Sequence, residues 1–170
     1  QAAFRGFIRS VVERTNTFTG VPYKNDPTIF AWELANEPRL YPSEWIDDTA
    51  AYIKSMDTHH MVTSGSEGEA GGDFIDTHNG QYIDYATCHI WPQNWDWYNP
   101  LDPTTYSGAL ENALDYLAAH DEMATTALHK PLVLEEFGLA RDNASYDPDS
   151  TTVFRDSFFS DLYAAVAASA

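Results

Sequence analysis

Apolar residues recur along the chain in two alternating rhythms. Phe4, Ile8, Val11 and Val12 fall three or four apart, the spacing of one helix face, and predict a helix over 2–15. A loop with Gly20, Pro22, Asp26 and Pro27 follows, and the apolar run 29–34 then reads as a buried strand stopped by Asn36-Glu37-Pro38. Ile46, Ala50, Ile53 and Met56 restore the helical period, with Ser43 as its candidate cap. Met61-Val62-Thr63 is a short strand running into Ser64-Gly65-Ser66-Glu67-Gly68, and the Gly- and Asp-rich stretch 71–80 shows no clear period. A third strand is expected over 85–91, an aromatic loop over 92–103, and a helix marked by Ala109, Leu110, Ala113, Leu114 and Leu117. A fourth strand over 131–137 is cut by Gly138, and beyond the polar loop 141–150 Val153, Phe154, Phe158 and Leu162 mark a last helix.

Helices alternating with short apolar strands imply an α/β domain with a parallel sheet and right-handed crossovers. No linker or low-complexity segment divides the chain, so residues 1–170 are read as one domain. An open doubly wound sheet and consecutive units of a (β/α)8 TIM barrel both fit. No Gly-rich phosphate loop follows the first strand, which weakens the nucleotide-binding version. Polar residues gather at the C-terminal ends of all four strands, the face on which barrels carry their active sites.

Composition narrows the partners. Asp and Glu number 26 against 9 Lys and Arg, a net charge of −17, which repels nucleic acids and anionic membrane surfaces but leaves a neutral substrate unopposed. No apolar run reaches the roughly 20 residues of a membrane span. The single cysteine, Cys88, allows no internal disulfide and reads as a small buried hydrophobe. His59, His60, Asp76 and His78 lack convergent ligand spacing, so neither a metal nor another cofactor is expected. The chain opens on Gln1 without an initiating Met or a signal peptide, as a processed or truncated product would.

The candidate chemistry lies at strand ends. Glu37 closes the first strand and Glu136 the fourth. Two such residues on non-adjacent strands of a parallel barrel can face each other across its mouth, as the two carboxyls of a glycosidase must. Alternation places Glu135 and Glu136 on opposite faces, so at most one points inward. The same alternation places His89 and Trp91 on one face at the end of the third strand. Trp91, Trp95 and Trp97 stand in a loop with Gln93, Asn94 and Asp96, a composition suited to a wall that stacks on sugar rings.

The segment from Asp26 to Arg39, with Trp32-Glu33-Leu34-Ala35-Asn36-Glu37-Pro38-Arg39 at its end, resembles the fourth-strand signature of glycoside hydrolase family 5, nearest its endo-β-1,4-mannanase branch. Leu134-Glu135-Glu136-Phe137-Gly138 resembles the seventh-strand motif. The stretches 51–55, 64–68 and 89–95 are also mannanase-like. The resemblance implies Glu37 as acid/base, Glu136 as nucleophile, Asn36 as a ligand of the sugar's 2-hydroxyl region, and Glu135 as an outward-facing neighbour. It also implies retaining hydrolysis of internal β-1,4 linkages in mannan, and secretion, since a polymer cannot enter a cell intact. An endo-β-1,4-glucanase, or an inactive sugar-binding fragment, is the alternative. Where many relatives have His-x-Tyr, this chain has Trp91, whose indole also offers a donor. By the match the chain holds strands four to seven of the barrel, about four β/α units with a leading helix, and its open sheet edges would be liabilities.

Overall fold

The computed structural model describes residues 2–39, 41–68 and 71–169. Helix α1 (Ala2–Val12) leads, and four strand–helix pairs follow: β1 (Ala31–Glu33) with α2 (Ser43–Lys54), β2 (Met61–Thr63) with α3 (Gly71–His78), β3 (Ala86–Ile90) with α4 (Tyr106–Met123), and β4 (Leu132–Phe137) with α5 (Val153–Ser169). β1 pairs parallel to β2, and β3 parallel to β4. Between the two ladders, the Asp84 amide donates to Val62 O at 2.8 Å and the Thr63 hydroxyl to Tyr85 O at 3.0 Å. Higher up, the His89 amide donates to Glu67 O at 2.9 Å. The arrangement is that of part of a parallel α/β barrel, with strand C-termini gathered on one side. No helix among the described residues is long and apolar enough to cross a membrane.

Several boundaries differ from expectation for identifiable reasons. α1 stops at Val12, because Thr15 forms an isolated antiparallel bridge with Pro22 that turns the chain back. Ser43 is the first helical residue rather than the cap; Pro42, with a φ of −63° that suits extended and helical backbone alike, holds the cap position without a side-chain bond. The stretch without a readable period forms α3, whose Phe74 is fully buried with Ala86, Ala124 and Leu128. α4 begins earlier than its apolar marks, on a 3-10 turn at Pro103–Thr105 whose start is capped by Asp102 accepting the Thr104 amide at 3.1 Å.

Two larger cores hold the helices to the strands. Ile8 and Val12 of α1 meet Ile46, Ala50 and Ile53 of α2 over Val62. Cys88 and Ile90 of β3 meet Ala109, Ala113 and Leu117 of α4 and Phe158 and Leu162 of α5. Cys88 is fully buried as expected, and burial first, then Glu135 nearby, pushes its thiol up to about 12. β4 is only half-buried along its whole length.

Below the strand ends, Asp57 ties three elements together. It accepts the Trp32 indole N–H at 2.7 Å, the His59 and His60 amides at 2.9 and 3.1 Å, and His60 Nδ1–H at 2.6 Å. His60 is thereby engaged, and His78 likewise, held between Phe74 O, Ser64 and Thr87. Burial would raise the Asp57 carboxyl, but the Trp32, His60 and His59 donors outweigh it and hold it at about 2. A value depressed on folding stabilises fully above the ordinary 3.8 and is lost as pH falls through about 2. Asp57→Ala is expected to cost about 3 kcal/mol near neutrality, as loss of one partner of a buried pair does. Urea midpoints at pH 7 and pH 3 check this, with a smaller deficit at the lower pH.

Candidate active site

Glu37 follows β1 on a turn where it takes a positive φ of 48°, a conformation uncommon for a non-glycine residue and frequent where function constrains the backbone. Its amide donates to Gly65 O at 2.9 Å. Gly65, at φ +77°, permits this approach, because a Cβ there would stand 2.1 Å from Ala35 O. The loop 64–68 is itself pinned: the Thr87 hydroxyl donates to Ser66 O at 2.8 Å, the Tyr116 hydroxyl to Glu67 O at 2.9 Å, and His120 Nε2 to Gly68 O at 2.6 Å.

His89 lies one residue before the end of β3, 1% exposed. Its Nδ1 lies 2.8 Å from Glu37 Oε1 and 3.6 Å from Glu136 Oε2, and its Nε2 3.6 Å from Glu135 Oε2. One oxygen each of Glu37 and Glu136 and a ring nitrogen of His89 lie within 4.8 Å of one another. Burial opposes a charge on this ring, but Glu135 and Glu37, then Glu136, outweigh it and raise its pKa to about 9. Three such groups could reach a common cation. An indole N–H already donates to one of the carboxylates, however, and the raised imidazole pKa favours a charged ring, which would repel one.

That indole is Trp91, whose Nε1–H donates to Glu136 Oε2 at 3.0 Å. Gly138 gives it room, since a Cβ there would lie 2.6 Å from Trp91 Cζ3. Arg39 lies 3.9 Å from Glu37 Oε2 and forms a closer ion pair with Glu67.

The expected residues are thus divided. Glu37, His89, Trp91 and Glu136 converge; Asn36 sits exposed on the same turn as Glu37. Trp95 and Trp97 instead pack edge-on with each other at 4.9 Å and against Tyr116 of α4 at 5.2 and 6.1 Å. Glu135 is not outward-facing. Cys88 pairs with Leu134 but His89 with Glu136, so a bulge takes up Glu135 and breaks the alternation that would have sent it away. Nothing in the residue pattern marks that bulge. The Arg39–Glu67 pair and the grip of Tyr116 and His120 on the loop 64–68 were also missed; only the glycines of that loop hinted that a close approach was required.

The whole of residues 1–170 matches the family described as GH family 5 beta-mannosidase-like. The chain belongs to that family. It is 33% identical to mannan endo-1,4-beta-mannosidase 5 of Arabidopsis thaliana over 94% of this chain and 42% of that relative. It is similar to the glycoside hydrolase family 5 mannosidase of Rhizomucor miehei, with 35% identity and a TM-score of 0.92 over 96% of this chain and 41% of that one. An endo-1,4-beta-D-mannanase of Thermotoga petrophila matches with 26% identity and a TM-score of 0.70, over 97% and 50%. The chain thus spans less than half the length of curated relatives such as these.

Gly138→Ala is expected to displace the Trp91 ring and lengthen its bond to Glu136. The indole N–H proton resonance would then move upfield, whereas Gly108→Ala, with nothing within 4 Å, would leave it in place.

Proposed function

We propose that the protein is a retaining endo-β-1,4-mannanase, to which this chain contributes strands four to seven of the barrel and both reacting carboxyls. The observation that carries the reading is the approach of Glu37 and Glu136 oxygens to within 4.8 Å around His89. Retaining glycosidases hold their two carboxyl groups about 5–5.5 Å apart, and inverting ones leave room for a water between them. Glu136, oriented by Trp91, attacks the anomeric carbon while Glu37 protonates the departing oxygen. Glu37 then takes a proton from water, which releases the sugar from Glu136 with its configuration retained. Asn36 is proposed to meet the sugar beside the reacting carbon, and Trp95 and Trp97 to present their half-buried faces to more distant rings. A polymeric substrate supports action outside the cell.

The relatives support both the substrate and the pair. The Rhizomucor miehei mannosidase has been solved with mannosyl-fructose in a variant with one glutamate replaced by alanine, and separately with another replaced. Those two glutamates are as far apart in sequence as Glu37 and Glu136 are here. The higher TM-score to that mannosidase than to the Thermotoga mannanase favours one second reading, action on short or terminal mannosides.

Reducing-sugar release from galactomannan by the protein at its full natural length tests the proposal. Glu136→Ala and Glu37→Ala are each expected to lower it about a thousand-fold or more. Internal cleavage gives a spread of oligosaccharides, and the second reading gives mannose or very short products from the start. Release from cellulose but not mannan would identify a glucanase instead. Saccharide binding without turnover, unaffected by Glu136→Ala, would identify a sugar-binding protein.

A further inference from the structure

The bulge in β4 puts a third carboxylate against the imidazole at the centre of the site. From Ala86 to Cys88 the residues of β3 pair one for one with Leu132 to Leu134, but His89 is opposite Glu136. Glu135 is therefore surplus to the ladder, and two adjacent glutamates reach the same ring. The ring's two nitrogens are treated differently. Nδ1 has Glu37 Oε1 at 2.8 Å, whereas Nε2, wholly buried, makes no hydrogen bond. Among the described residues, the carboxylate within 4 Å of Nε2 is that of Glu135, at 3.6 Å and with its side chain 17% exposed.

We propose that Glu135 is a positioning residue: turned inward by the bulge, it serves as counter-ion to His89 Nε2–H, and by fixing the charge and tilt of the ring it sets the hydrogen bond that Nδ1–H gives to Glu37. The significance of that bond for catalysis rests on the reading of Glu37 as acid/base; the pairing of Glu135 with His89 does not. A carboxyl oxygen accepts a hydrogen bond from a ring N–H. With Glu37 before one nitrogen and Glu135 before the other, both nitrogens carry protons and the ring is an imidazolium. Its raised pKa agrees with this.

The charged groups around the ring come from three directions. Glu33 and Glu37 approach from β1 and the turn after it, and Glu135 and Glu136 from β4. Arg39 stands behind Glu37, and Glu67 of the loop after β2 receives the His89 amide through its backbone oxygen. Desolvation, then the charge of Glu135, pushes the Glu33 carboxyl up, with Glu136 adding to it and His89 opposing. Glu135 thus faces Nε2, whereas Glu37 and Glu136 of the proposed reacting pair face Nδ1.

Histidine-labelled protein at its full natural length, followed by ring 15N chemical shifts from pH 5 to 11, tests the pairing without substrate. In the unaltered protein His89 should show two protonated ring nitrogens at pH 7. In Glu135→Gln the titration midpoint should fall by about one pH unit or more, as loss of a neighbouring opposite charge requires, and Glu135→Asp should restore part of the fall. The alkaline limb of kcat/KM on mannan should move down in parallel. An unprotonated Nε2 at pH 7 in the unaltered protein would overturn the proposal, even if no variant folds. So would an unmoved midpoint in Glu135→Gln, or an activity loss uniform across pH. Absence of mannan hydrolysis, with the midpoint shift intact, would count against the mannanase reading alone.

Discussion

Carboxylates that gather at the end of a sheet repel one another unless something positive stands among them, and here that something is His89. Two unit charges about 4 Å apart interact by about 4 kcal/mol at the effective dielectric near a protein surface. Glu37, Glu135 and Glu136 each have an oxygen within 3.6 Å of the ring. The attraction of each to the imidazolium offsets their mutual repulsion, and allows two of them to be near enough to act on one bond. Remove the ring's charge and the cluster becomes a set of like charges, with the exposed Arg39 beside Glu37.

The scaffold serves this cluster by bringing three strand ends to one place. β1 delivers Glu37 on a turn of unfavourable φ, held by Gly65 O. The loop holding Gly65 is fixed from below by Thr87 of β3 and from the side by Tyr116 and His120 of α4. β4 delivers two glutamates where a regular strand would deliver one. The site therefore depends on α4 as much as on the strands. Tyr116 explains why Trp95 and Trp97 stand where they do, since both rings lean on it.

Much of this was legible in the residues. Asn36-Glu37-Pro38 and Glu136-Phe137-Gly138 each end an apolar run with a carboxylate, and strand period placed His89 and Trp91 together on one face; both lie close to Glu136. The α/β alternation followed from helical and strand spacing. What escaped was whatever departs from period. Alternation placed Glu135 outside, and a single surplus residue brought it in. α3 starts on two glycines and carries few apolar residues, so no helical face was visible. Ser43 suits a cap chemically, but the chain enters α2 one residue earlier through Pro42. Asp57 gave no local signal at all, because its donors come from Trp32 of β1 as well as from its own turn.

In the proposed double displacement Glu136, and not Glu135, which lies as near to His89, forms the bond to the sugar. A mannoside carrying fluorine at C2 and a good leaving group slows release of the glycosyl-enzyme more than its formation, so the intermediate accumulates. Mass spectrometry of the digested, labelled protein would then locate the sugar. One added glycosyl group is expected on Glu136 if it is the nucleophile of the proposed mechanism. A label on Glu135, or turnover of mannan with inversion and no trapped intermediate, would contradict it.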